Sequence, residues 1–159
     1  MDLIKIGNRM AVNPDRLLKV HVAAMPEDRM QTIANRVIPT FCYDNSLMAL
    51  VELELEKIVY GIAVADVASH QLTVEHCWVK ASDGIYYDPT YQLVGPGGNV
   101  ETTYYVLFEM SAPEYFEFAI SRRGKELSTI GALDFLEFRR SPEYPVSYTH
   151  LRAHETYVH

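Results

Sequence analysis

The chain has 159 residues, one domain's worth, and 48% of them are hydrophobic, enough for a single core. It carries 14 Lys and Arg against 21 Asp and Glu, a net charge of −7. That balance, with the densest basic pairs being Arg122–Arg123 and Arg139–Arg140, excludes a general nucleic-acid binder, and the apolar and aromatic content excludes a disordered chain.

Two cysteines, Cys42 and Cys77, cannot build a disulfide-dense scaffold. The first ten residues lack the basic segment and apolar stretch of a signal peptide. The longest apolar run, Ile58 to Ala68, contains Asp66 and is too short to span a bilayer. The expectation is a soluble, cytoplasmic protein that engages neither membrane nor nucleic acid.

In chain order, Asn13-Pro14-Asp15 reads as a helix start. Pro26-Glu27-Asp28 repeats the signal, with Met30, Ile33, Ala34 and Val37 at helical spacing and Pro39 as the stop. A third helix begins near Cys42, with an apolar stripe of Leu47, Leu50, Val51 and Leu55. The period then changes to that of strands over Ile58 to Val67 and Gln71 to Lys80. Asp83-Gly84 marks a hairpin into a short strand, Ile85 to Asp88, ended by Pro89. A loop at residues 95–98, a strand over Thr102 to Met110 and a capping-box helix from Ser111 to about Arg122 follow. The order predicts an α+β fold: N-terminal helices packed on an antiparallel sheet, with a late helix. Residues 146–159, VSYTHLRAHETYVH, have no periodicity and look like translated adapter sequence. The folded domain is therefore expected over 1–145, with a non-native tail behind it.

Three residues carry candidate chemistry: Cys42 at a helix start, His76 on a strand and Asp88 across a hairpin from it. A free thiol, pKa ~8.5, is mostly protonated at neutral pH, and a helix N-terminus and a nearby imidazole both favour its thiolate. The imidazole takes the thiol proton and returns it to a leaving amine. A carboxylate sets the imidazole's tautomer. Strand alternation places His76 with Val74 and Trp78, and Cys77 on the opposite face with Glu75 and Val79. Cys77 thus reads as a core residue. Because His76 and Cys77 diverge, four zinc ligands do not converge, and no metal or other cofactor is expected.

The order of Cys42, then His76-Cys77-Trp78-Val79, then Gly84, then Asp88-Pro89-Thr90 resembles the transglutaminase-like branch of the papain-like cysteine enzymes. The fuller string, C-Y-D-N-S, Y-G-I-A-V-A, V-E-H-C-W and Y-Y-D-P-T, resembles small bacterial and phage proteins of that superfamily. It covers about Phe41 to Tyr91. The resemblance implies a papain-like core and a Cys42–His76–Asp88 triad that cleaves or transfers amides through a thioester, as a cysteine hydrolase or acyltransferase. The substrate would be a peptide, a protein or a small amide.

Asn45 reads as a residue that satisfies the helix start or as an oxyanion donor. Trp78 reads as a core aromatic or as a wall of the site. Papain-like peptidases often place a Gln shortly before the Cys, and the nearest here is Gln31, with Asp44 adding a charge beside Cys42. The alternative is a papain-like scaffold, possibly phage-encoded, that serves as a binding or inhibitory module without turnover.

Overall fold

The computed structural model describes residues 2–95, 100–124, 130–141 and 144. The tail at 146–159 and the loop at 96–98 lie outside these residues. The fold is mixed α+β around one six-stranded sheet.

Helix α1 (Leu3–Met10) is capped by Asp2, whose Oδ1 accepts the Lys5 N–H at 2.9 Å. The expected helix at Asn13-Pro14-Asp15 is a single 3₁₀ turn, Pro14–Arg16. It stops because the chain straightens at Leu17 and joins the sheet as β1 (Leu18–Val20), followed by β2 (Val22–Ala23). Helix α2 (Glu27–Ile33) buries Met30 and Ile33. A 3₁₀ turn over Ala34–Arg36 replaces its expected continuation, leaving Ala34 exposed.

Helix α3 (Cys42–Glu52) lies where the sequence places it, with its buried face turned so that Leu50 stays in the core, Leu47 packs against it and Val51 does not. The buried residues are Cys42, Asn45, Ser46, Ala49 and Leu50. Val51 is 50% exposed, and Leu55 is buried beyond the helix end. The stripe turns because small side chains at 45, 46 and 49 let the helix approach the sheet closely.

Strands β3 (Lys57–Val67) and β4 (His70–Lys80) form a long antiparallel hairpin, with Val67 opposite His70. Ala68, at φ 54°, takes the turn. The Asp83-Gly84 turn leads into β5 (Tyr86–Tyr87), which pairs with the end of β4. Helix α4 (Pro89–Val94) follows at once. Strand β6 (Thr102–Ser111) crosses to the far side of β3. The capping box at Ser111 and Glu114 then starts α5 (Ala112–Arg123), and α6 (Ala132–Arg140) is the last described element.

The strand order is β1-β6-β3-β4-β5-β2. The two strands absent from the sequence reading close its edges. β1 is antiparallel to β6, whereas β2 is parallel to β5, so the sheet is not wholly antiparallel. β3 and β6 are central and buried on both faces, which obscures alternation in their sequences. One face carries Ile58, Tyr60, Ile62, Cys77 and Val79, clustered with α3 residues and with Phe135 of α6. The other carries Val59, Ala63, Trp78, Tyr104 and Val106, with Leu18 and Tyr91 against them.

Gly61 stands opposite His76 on β3, where the β3–β6 register shifts. A Cβ there would lie 2.0 Å from the Tyr105 carbonyl oxygen and 2.7 Å from the Trp78 ring. Backbone cannot give way cheaply. Gly61→Ala is therefore expected to destabilise the fold by at least about 2 kcal/mol. Chemical denaturation checks this; a loss below about 0.5 kcal/mol would mean that the close approach is dispensable.

Candidate active site

Cys42 is the first residue of α3 and is 8% exposed. The preceding Phe41 supplies no side-chain cap. Asn45 organises this end instead. Its Oδ1 accepts the Ile38 N–H at 3.0 Å, and its Nδ2 donates to the Ile38 carbonyl at 2.8 Å and to Thr90 Oγ1 at 3.1 Å. One buried amide thus holds the 38–41 segment against the helix start and ties α3 to α4. Both its amide hydrogens are committed, so Asn45 positions the helix that carries Cys42 and has no donor left over.

His76 reaches the site from β4, and Asp88 from the junction of β5 and α4. The sequence reads Asp88 as the end of a strand. In the structure it is the N-cap of α4, and Pro89 starts that helix rather than merely stopping a strand. Asp88 Oδ1 accepts the Tyr91 N–H at 3.1 Å. Its Oδ2 accepts from His76 Nε2 at 2.8 Å and from the Tyr104 hydroxyl at 2.6 Å. His76 and Asp88 are only 2% and 3% exposed. Cys42 lines the same cavity as the imidazole and is near enough to help raise its pKa. Since Nε2 faces Asp88, Nδ1 is the nitrogen left for the thiol.

Aromatic rings enclose the imidazole. Tyr91 stacks on it at 4.1 Å between centroids, and Trp78 lies at 6.1 Å. Trp78 is fully buried and meets Tyr104 edge-on at 5.1 Å. It is at once a core residue and a flank of the site. A cavity of about 420 Å³ opens onto Cys42 and His76, walled by Pro39, Val74, Thr90 and Tyr91. A second, of about 460 Å³, lies against Asp88, Tyr91 and Tyr104. Tyr91 borders both.

Gln31 lines neither cavity. It is exposed on α2, where its Nε2 lies 3.5 Å from Glu27 Oε1. Asp44 also lies off the cavity lining. Cys77 is fully buried on the opposite face of β4, as alternation predicts, and burial pushes its thiol pKa well up. Three residues of this neighbourhood escape the sequence reading, Gly61, Tyr91 and Tyr104, and Thr90 enters it only as part of the Asp88-Pro89-Thr90 motif. Tyr91 sits one step beyond Asp-Pro-Thr, so an N-cap reading of Asp88 points to it. Tyr104 gives no such signal, because Tyr104 and Tyr105 are equally plausible in sequence and only β6's register chooses between them.

Among the described residues, no group of three or more His, Cys, Asp or Glu is placed to hold a metal. Nor is any described helix long and apolar enough to cross a membrane. The chain matches no protein-family model, no curated protein and no solved structure. The chemistry of this site therefore rests on its own geometry.

Burial by itself would lower the His76 pKa. The adjoining Asp88 charge and hydrogen bond outweigh it, helped by Cys42, and raise it from 6.5 to about 9. A raised folded-state value means stability that is full below about pH 6.5 and lost as pH rises towards 9. In urea unfolding, the stability difference between wild type and His76→Gln should shrink by up to about 3 kcal/mol across that window. A difference independent of pH would mean that His76 is not held as an imidazolium.

Proposed function

We propose that the protein is a cysteine hydrolase or acyltransferase with a papain-like or transglutaminase-like core, acting on an amide or peptide bond. The observation that carries this reading is the convergence of Cys42, His76 and Asp88 from three elements: His76 is hydrogen-bonded to Asp88 at 2.8 Å and shares one cavity with Cys42.

A protonated His76 is the partner that a thiolate needs. The Cys42 sulfur attacks the substrate carbonyl carbon, and the carbonyl oxygen takes the negative charge. The N–H of Cys42, in the first turn of α3, would donate to that oxyanion. As the C–N bond breaks, His76 gives its proton to the departing amine, leaving a thioester on Cys42. The neutral imidazole then accepts a proton from water, which releases an acid, or from a second amine, which releases a new amide. Asp88 holds the ring in one tautomer throughout.

A second reading is a papain-like binding or inhibitory module without turnover. It is favoured by the two expected oxyanion donors: Asn45 has both amide hydrogens engaged elsewhere and Gln31 is off the cavity, so neither supplies one.

The two readings diverge in thiol reactivity. Iodoacetamide at pH 7 should label Cys42 and spare the fully buried Cys77. His76→Ala should slow Cys42 labelling by about tenfold or more. Acyl-donor probes should leave a thioester adduct, seen by intact mass in wild type and absent from Cys42→Ala. Slow labelling of both cysteines, indifferent to His76→Ala, would remove the enzyme reading and leave the binding module.

A further inference from the structure

Asp88 Oδ2 is shared. His76 Nε2 approaches it at 2.8 Å and the Tyr104 hydroxyl at 2.6 Å, while Oδ1 caps α4 through the Tyr91 N–H. The carboxylate therefore has a donor from each of β4, β6 and α4. Tyr104 is 7% exposed, braced edge-on by Trp78 and pinned on β6, where it faces Ala63 of β3. Burial, and then the Asp88 charge, push its phenol pKa far up, so the hydroxyl stays a donor throughout the working pH range.

We propose that Tyr104 is a positioning residue of this site, a fourth member of the array that fixes the Asp88 carboxylate and tempers its pull on His76. The inference rests on the thiol reading above for its consequence, although not for its geometry. A hydrogen bond to a carboxylate stabilises the charge and draws density from the oxygen that accepts it. With Tyr104 donating to Oδ2, less of that charge acts on the imidazolium. The proton on His76 is held tightly enough to orient the ring and loosely enough to be given to a leaving amine. Without that donor, the carboxylate holds the proton harder and is free to turn about its Cβ–Cγ bond.

The charged and titratable groups facing His76 among the described residues are few. They are Cys42 from α3, Asp88 at the start of α4, Tyr91 from α4 and Tyr104 from β6. From β3 it meets Gly61. Its neighbour Glu75 pairs with Arg139 at 3.0 Å. Glu75 also borders the Cys42–His76 cavity, but with its charge met by Arg139, Asp88 is the carboxylate bonded to His76 through which a change at Tyr104 is read.

The test follows the His76 ring by NMR titration and the rate of Cys42 alkylation against pH, in wild type, Tyr104→Phe and His76→Ala. Tyr104→Phe keeps the ring and removes only the hydroxyl. It should raise the His76 midpoint by about half to one pH unit and carry the His76-dependent step of the alkylation profile with it. A phenol that merely fills space would leave both unchanged, and superimposable wild-type and Tyr104→Phe titrations would overturn the proposal. Should Tyr104→Phe fail to fold, the wild type still decides the question. The ¹³Cζ shift of Tyr104 should move with the His76 midpoint, and a flat Tyr104 signal through that transition would overturn it. His76→Ala separates this from the reading beneath it. If that variant leaves Cys42 alkylation unchanged, the thiol reading falls, while the titration still reports on Tyr104 and Asp88.

Discussion

The buried pair of His76 and Asp88 is the constraint around which the rest of the site is arranged. A carboxylate and an imidazole, each about 2–3% exposed, are costly to bury unless their hydrogen-bonding capacity is met. The surrounding structure meets it. β4 supplies the imidazole, the α4 start supplies a backbone N–H, β6 supplies a hydroxyl and α3 supplies the thiol. These elements are far apart in sequence, so the pair also acts as a fastener. Removing either partner would leave an uncompensated polar group inside the fold.

The second fastener is Asn45. It holds the segment before α3, the helix itself and Thr90 of α4 together with three hydrogen bonds. Gln92 extends the same logic, bonding the Met25 N–H and carbonyl at 2.7 and 2.9 Å, and so fixes α4 against the chain just before α2. The short helix carrying Asp88 and Tyr91 is thus tied on both sides. Its rigidity matters because Tyr91 forms the stacked wall over the imidazole, and Asp88 takes its orientation from the cap. The geometry of the His76–Asp88 pair thus depends on supports outside the pair itself.

The two faces of the central hairpin have separate duties. Cys77 and Val79 join the large cluster under the helices, while Trp78 and Tyr104 build a small aromatic layer on the side that carries His76. Gly61 permits that layer. Without a Cβ, β3 lets β6 and the Trp78 ring come close beside His76. The result is a water-poor surrounding for the imidazole, in which its contacts with Asp88 and Cys42 are stronger than they would be in water.

By itself, the sequence determined the α+β class, the two long strands over 58–67 and 71–80, the helix beginning at Cys42, the α5 capping box and the opposite facing of His76 and Cys77. Each follows from periodicity, cap residues or strand alternation, which are local. It also pointed to His76 and Asp88 as neighbours, because a hairpin with an Asp-Gly turn sets short-range pairing. Tertiary structure decided the remainder. Leu18, Val20 and Val22 become edge strands only because β5 and β6 offer them partners. Asn45 lies on the buried face of α3, outside the apolar stripe read from sequence, because Ile38 and Thr90 offer its amide partners there. Asp88 is an N-cap because the chain turns into α4 at once. Tyr104 reaches Asp88 through the register of β6 with β3, a pairing between residues some forty positions apart that no local pattern encodes.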